Sequence, residues 1–198
     1  MRRCLMTLAV LVGAVLAWPS SSHAGHHLWK LTHVFSNASG SVQFIQLFVP
    51  EDGESGVGNF TITSGSKTFT FPTSLPSGVS TLNTWILIAT ANFQSLPGGV
   101  TPDYIIPAGF LSTGGGTLNY AGLDVWNYGA LPSDGVHELK RDGSTPVNAV
   151  TNFAKQTGSL TPASVPALST YALVLLAGVL LLASSGLLRR PKPSSTAV

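Results

Sequence analysis

Three groups of residues in this sequence have types and spacing that chemistry can use. The first is Gly25-His26-His27. A chain cut just before Gly25 would carry a free amine with histidine at the third position. That set of nitrogens wraps Cu(II) in the square-planar arrangement the ion favours. No further residue is seen to orient such a site, and an arbitrary polar start after cleavage is the plain alternative. The second group is Glu51-Asp52-Gly53-Glu54, the one acidic cluster. Hard cations take several loop oxygens. The spacing is not that of an EF-hand, however, and short acidic runs are ordinarily solvated loops. The third is the aromatic set Trp29, Trp85, Trp126, Tyr104, Tyr120 and Tyr128. Such rings line sugar-binding faces, and they also fill the cores of small sandwiches because each buries a large area. Trp126 and Tyr128, in the loop-like Trp126-Asn127-Tyr128, are the candidates for an exposed ligand contact.

Catalysis has less to stand on. The sequence has no Gly-x-Ser-x-Gly, no His-Glu-x-x-His and no Cys-His pairing. The single cysteine, Cys4, lies in the first few residues. His33 sits in a strand-like run between Leu31 and Phe35 with no triad partner in view, so it reads as a strand residue. Loss of a hydrolytic activity on changing His33 or Asp124 would reverse this reading. The expectation is a protein that is not an enzyme and holds no cofactor.

The elements that must position these residues follow from composition. Only 9% of the 198 residues are charged, against about 25% in an ordinary soluble domain. That excludes a coiled coil and a charge-rich disordered chain. The formal charge of +2 belongs to the ends. Between residue 24 and residue 188, five bases (Lys30, Lys67, Lys140, Arg141, Lys155) face all eight acids, a net charge of −3. A domain of that sign offers no electrostatic footprint for nucleic acid.

Residues 1–24 read as a secretory signal peptide. Arg2 and Arg3 are its basic start, Leu5 to Ala17 its apolar stretch, and Ser22-His23-Ala24 places small residues ahead of a cut between Ala24 and Gly25. Residues 171–188 are 18 uncharged residues. At about 1.5 Å each they span ~27 Å, close to the ~30 Å apolar core of a bilayer. Arg189 and Arg190 follow as a basic stop, which the positive-inside rule leaves in the cytoplasm. Val165-Pro166-Ala167-Leu168-Ser169, the apolar helix and Arg189-Arg190 together resemble the tripartite C-terminal sorting signals of Gram-negative bacteria, of the IPTL-CTERM and PEP-CTERM kind. Val165 stands where that family has Ile, Ala167 where it has Thr, and Tyr171-Ala172 where it tends to have Trp-Gly. The resemblance covers residues 165–192. It implies an exosortase-like membrane protease as a processing partner, a transient stay in the inner membrane, and release to the outer surface or beyond. A plain single-span anchor is the alternative.

Between these ends lie short apolar runs cut by turn residues. Trp29 to Phe35, Asn59 to Thr63 and Lys67 to Phe71 alternate with a period of two. Val42 to Val49 is more continuously apolar, and Trp85 to Ala89 reads as a central strand buried on both faces. Leu118 to Tyr120, Leu123 to Trp126 and Val136 to Leu139 complete the set. Asn37 to Gly40, Ser64-Gly65-Ser66 and Asp142-Gly143 supply hairpin turns. The expected fold is all-β, with a domain over 25–155 and a small, polar linker over 156–164. Gln43-Phe44-Ile45-Gln46-Leu47-Phe48, Phe69-Thr70-Phe71-Pro72 and Trp85-Ile86-Leu87-Ile88-Ala89 resemble, in their order, strands of lamin-tail-type domains. Gln46 stands where that family tends to have Glu, and no Trp-Thr-Leu strand follows. The resemblance implies an immunoglobulin-like β-sandwich in a secreted or surface protein. The function expected is a non-catalytic envelope protein, working by adhesion or matrix association on an unspecified ligand. A secreted carbohydrate- or metal-binding module is the alternative.

Overall fold

The computed structural model describes residues 25–161. The signal segment with Ala24, the motif Val165 to Ser169, the segment 171–188 and the Arg189-Arg190 stop lie outside the described residues.

The described region is all-β. Its one helical piece is a 3-10 turn at Phe93–Ser95. The first sheet is made of β1 (Lys30–Ser36), β2 (Gln43–Val49), β5 (Thr84–Thr90), β6 (Tyr104–Ile106) and β9 (Leu139–Lys140). Its strand order is β6-β5-β2-β1-β9. The second is made of β3 (Thr61–Ser64), β4 (Lys67–Thr70), β7 (Gly116–Tyr120) and β8 (Asp124–Tyr128). Its order is β4-β3-β7-β8. A small hairpin of β10 (Val150–Thr151) and β11 (Thr157–Gly158) completes the set. All pairs are antiparallel except β5 with β6.

The alternation of each strand decides what it buries. Ile62, Leu118, Tyr120, Trp126 and Tyr128 point inward from the four-stranded sheet. They meet Leu31, Val34, Ile45, Leu47, Ile86 and Ile88 from the five-stranded sheet in one core, as in a β-sandwich. The five-stranded sheet is covered on its other face as well. Phe35, Phe44, Leu87 and Ala89 pack there with Phe93, Val150 and Leu160. Strands buried on both faces need apolar residues at every position, which is why β2 and β5 carry near-continuous apolar runs.

That second cover corrects the expected linker. Residues 156–161 belong to the domain, which ends at Thr161. The polar residues there are held by backbone partners. Asn148 Nδ2 donates to Val136 O at 2.7 Å, and Asn148 Oδ1 accepts from Leu160 N at 2.7 Å. Gln46 Nε2 reaches Thr151 O at 2.8 Å. Gly98 is required beneath this cover: its φ is +80°, and a Cβ would overlap the Ser159 carbonyl oxygen.

Candidate functional site

Residues 25–29 run beside the loop 53–56 before entering β1. Gly25 N donates to Gly53 O at 2.6 Å, and Gly56 N donates to Gly25 O at 2.8 Å. Tyr120 Oη donates to His26 O at 2.7 Å. Burial, and then the Glu54 charge, hold the Tyr120 hydroxyl above its ordinary range. Glu54 ties the segment from below: Leu28 N donates to Glu54 Oε2 at 3.1 Å and Trp29 Nε1 to Glu54 O at 2.7 Å. The Glu54 residue is 4% exposed. His27 Nε2 stands 3.8 Å from Glu54 Oε1 on a side chain that is 59% exposed. The His26 ring stacks on Phe60, with centroids 3.4 Å apart. Burial first, then the neighbouring His27, lower the His26 pKa.

This geometry bears on two of the expected sites. In the docked segment the Gly25 nitrogen is committed to Gly53 O. Copper needs that nitrogen among its four, so wrapping Cu(II) around Gly25, His26 and His27 would undo the docking. The acidic cluster splits. Glu54 turns inward, and Asp52 Oδ1 accepts from Thr81 N and Gly53 N, each at 2.8 Å. Those N–H groups, Thr81 first, hold the Asp52 carboxyl below its usual range. Among the described residues no three His, Cys, Asp or Glu side chains converge on a metal position.

Trp126 and Tyr128 are corrected. They are not on a loop; they are alternate inward residues of β8, 7% and 5% exposed. Tyr128 Oη accepts from Ser112 N at 3.1 Å, so the ring's polar tip is satisfied inside. Between them Asn127 faces out, with Val125 before it.

Asp124 and His33 are not partners. A bulge in β1 between Leu31 and His33 frees the Leu31 N–H, which donates to Asp124 Oδ2 at 2.9 Å. Arg141 Nη1 donates to the same oxygen at 2.5 Å and to Leu31 O at 3.1 Å, and Nη2 to Val125 O at 3.0 Å. Asp124, 8% exposed, therefore joins the edge of one sheet to the other. His33 instead faces Glu138. Its Nδ1 lies 3.6 Å from Glu138 Oε1, and Lys140 Nζ lies 3.9 Å from that oxygen. At 3.6 Å no direct hydrogen bond exists. Glu138 is fully buried, and its Oε2 accepts from Ala149 N at 3.1 Å. Burial pushes its carboxyl up to about 7, against the pull of that N–H and of Lys140. Burial, and then Lys140, push His33 down to about 4. The pair is therefore not a full ion pair at neutral pH. Among the described residues, buried His33 Nδ1, Gln46 Oε1 and Glu138 Oε1 have no hydrogen-bond partner. His33 is visible in the sequence and Glu138 is not, because a single Glu in the short run Val136 to Leu139 carries no sign of burial. The exposed His137 is held by Asp134, whose carboxyl its N–H groups lower to about 2.

The outward face of the four-stranded sheet was not singled out from the sequence. One row across it reads Thr68, Thr63, Asn119 and Val125. Thr70 pairs with Thr61 and Thr117 with Asn127 to either side. Thr117 Oγ1 donates to Asn127 Oδ1 at 2.7 Å. These eight positions carry no charge. The signal in the sequence is the Thr-x-Thr spacing of β3 and β4, which is also the mark of strand alternation. A separate open groove of about 450 Å³ lies between Gly99 to Thr101 and Gln156-Thr157.

No protein-family model, curated protein or solved structure matches this chain.

Proposed function

We propose that this chain is an exported, non-catalytic envelope protein of Gram-negative type. Its domain is a lamin-tail-like, immunoglobulin-like sandwich that associates with surface or matrix polymers. The tail signal delivers it through an exosortase-like protease. The observation that carries the association is the uncharged Thr/Asn face of β4-β3-β7-β8. Threonine and asparagine offer hydroxyl and amide groups that match the hydroxyls of a polysaccharide. Groups mounted on strands are already ordered, so binding gives up little conformational freedom. The flanking segments support export through their order: basic start, apolar stretch, small-residue cut, and later motif, apolar helix and basic stop.

Two measurements test this. Intact mass after fractionation of the producing cells should find a species starting at Gly25 and ending before Tyr171, at the surface or in the medium. A species retaining residues 171–188 in the inner membrane would make the protein a single-span anchored domain. Co-sedimentation with the cells' own matrix polysaccharide should be lost in a T63E/N119E variant whose melting temperature is unchanged. Equal sedimentation of variant and parent would remove the face from the proposal. The runner-up, a secreted carbohydrate- or metal-binding module, predicts discrete glycan-array hits or stoichiometric Cu(II) uptake.

A further inference from the structure

Glu54 is a buried residue whose two carboxylate oxygens are unequally served. Leu28 N serves Oε2, while among the described residues Oε1 receives no hydrogen bond. Oε1 lies instead against Gly25, close enough that a Cβ on that residue would overlap it. The Gly25 nitrogen is fixed nearby by Gly53 O at 2.6 Å. As a peptide N–H this nitrogen has one proton, which Gly53 O takes. Hydrolysis of the Ala24–Gly25 bond adds water, leaves Ala24 as a carboxylate and frees Gly25 as an amine. Below its ordinary pKa of about 8 that amine takes a proton from solvent and becomes an ammonium with three N–H donors.

We infer that removal of the leader completes the domain: the new Gly25 α-ammonium keeps its bond to Gly53 O and pairs with Glu54 Oε1. The inference rests on the cut between Ala24 and Gly25 in the export reading. Chemistry and space agree on it. A side chain at position 25 would overlap the carboxylate, and a free N-terminus brings further N–H donors to that point. A charge-assisted hydrogen bond from an ammonium is stronger than the 3.8 Å approach of the exposed His27 ring that Oε1 has otherwise. The other titratable groups facing Glu54 are His27, which is largely exposed, His26, whose pKa burial lowers, and Tyr120, whose hydroxyl serves His26 O. None of them donates to Oε1. The pair would thus act as a maturation latch, holding residues 25–29 against the loop 53–56.

The test uses residues 25–198 in detergent behind a removable leader that ends in Ala24. Melting temperature is measured before and after the leader is removed, and the Gly25 amine is titrated by its rate of reaction with an acylating reagent. Removal is expected to raise the melting temperature by several degrees. The freed amine is expected to titrate about one unit above its usual ~8, roughly a fivefold loss of reactivity at pH 8. E54Q should cancel both changes. An unchanged melting temperature together with an ordinarily reactive amine would overturn the inference. If E54Q fails to fold, the leader-bearing form of the parent is itself the control without the charge. A protein recovered from cells with a start other than Gly25 would instead overturn the cut site of the export reading, and the measurements on the Gly25 form would still judge the latch.

Discussion

Single side chains in this domain serve mainly as ties between segments far apart in sequence. Asp124 is the best example. It satisfies the Leu31 N–H released by the β1 bulge and anchors Arg141, which in turn holds Leu31 O and Val125 O. Asp124→Ala would leave a buried N–H and a guanidinium without their acceptor. The expected loss is about 2–4 kcal/mol, seen as a lower urea midpoint at constant m-value. Glu138 makes a pH prediction. Its folded pKa of about 7 lies above its ordinary 4.5, so the native state binds the proton more tightly than the unfolded one. Its contribution is present below pH 4.5 and is lost as pH rises through 7. His33 runs the other way: its folded value of about 4 lies below 6.5, so its contribution is lost as pH falls through that window. The two nearly offset each other between pH 4.5 and 6.5 in the parent. Glu138→Gln removes one of them. Relative to the parent, the variant should therefore gain stability from pH 5 to about pH 7 and level off above it, in a series of urea melts. A parallel pH dependence for the two proteins would show that Glu138 is ionised in the fold.

Among the elements, the β10–β11 hairpin decides whether the five-stranded sheet is covered on its outer side. Leu160, 4% exposed, packs there with Phe44, Leu87 and Phe93. Leu160→Ala should cost about 2–3 kcal/mol and increase binding of a hydrophobic dye. A chain ended at Pro146 should show no cooperative urea transition, since it strips the cover from Phe44 and Leu87. These elements were the least legible in the sequence. The strands around Val34, Ile45, Ile62, Phe69, Ile88 and Leu118 announced themselves by alternation or by unbroken apolar runs, and the turns at Asn37, Gly65 and Asp142 fell where expected. Three-residue β6 and two-residue β10 and β11 are too short for a period to register. The burial of the Asn148 and Asn152 amides is not legible in the sequence, because it depends on backbone acceptors at Val136 and Thr101, which only tertiary structure supplies. Trp126 and Tyr128 were legible after all. Asp-Val-Trp-Asn-Tyr alternates, and the two aromatics share the inward face with Asp124. The sites were harder to see than the strands, because Glu54 and Glu138 owe their properties to burial.

The whole molecule is stapled without disulfides, since its one cysteine is Cys4, in the predicted leader. Its melting temperature should be indifferent to reductant. The hydrogen bonds that take the place of cross-links close very long loops. Arg141 reaches Leu31 across 110 residues, and Gln46 reaches Thr151 across 105. The strand nearest the start, β1, is flanked on one side by β2 and on the other by β9, near the end. Contacts so distant in sequence make folding slow, and refolding from urea should take milliseconds to seconds or longer. In the export proposed above, the chain passes the membrane N-terminus first. Its earliest strand emerges with one neighbour close behind and the other about a hundred residues away. Until that late strand arrives, the sheet has an open edge and the chain stays pliable enough to be threaded. On the proposed export route the domain would in effect be timed, becoming rigid only when nearly all of it has crossed.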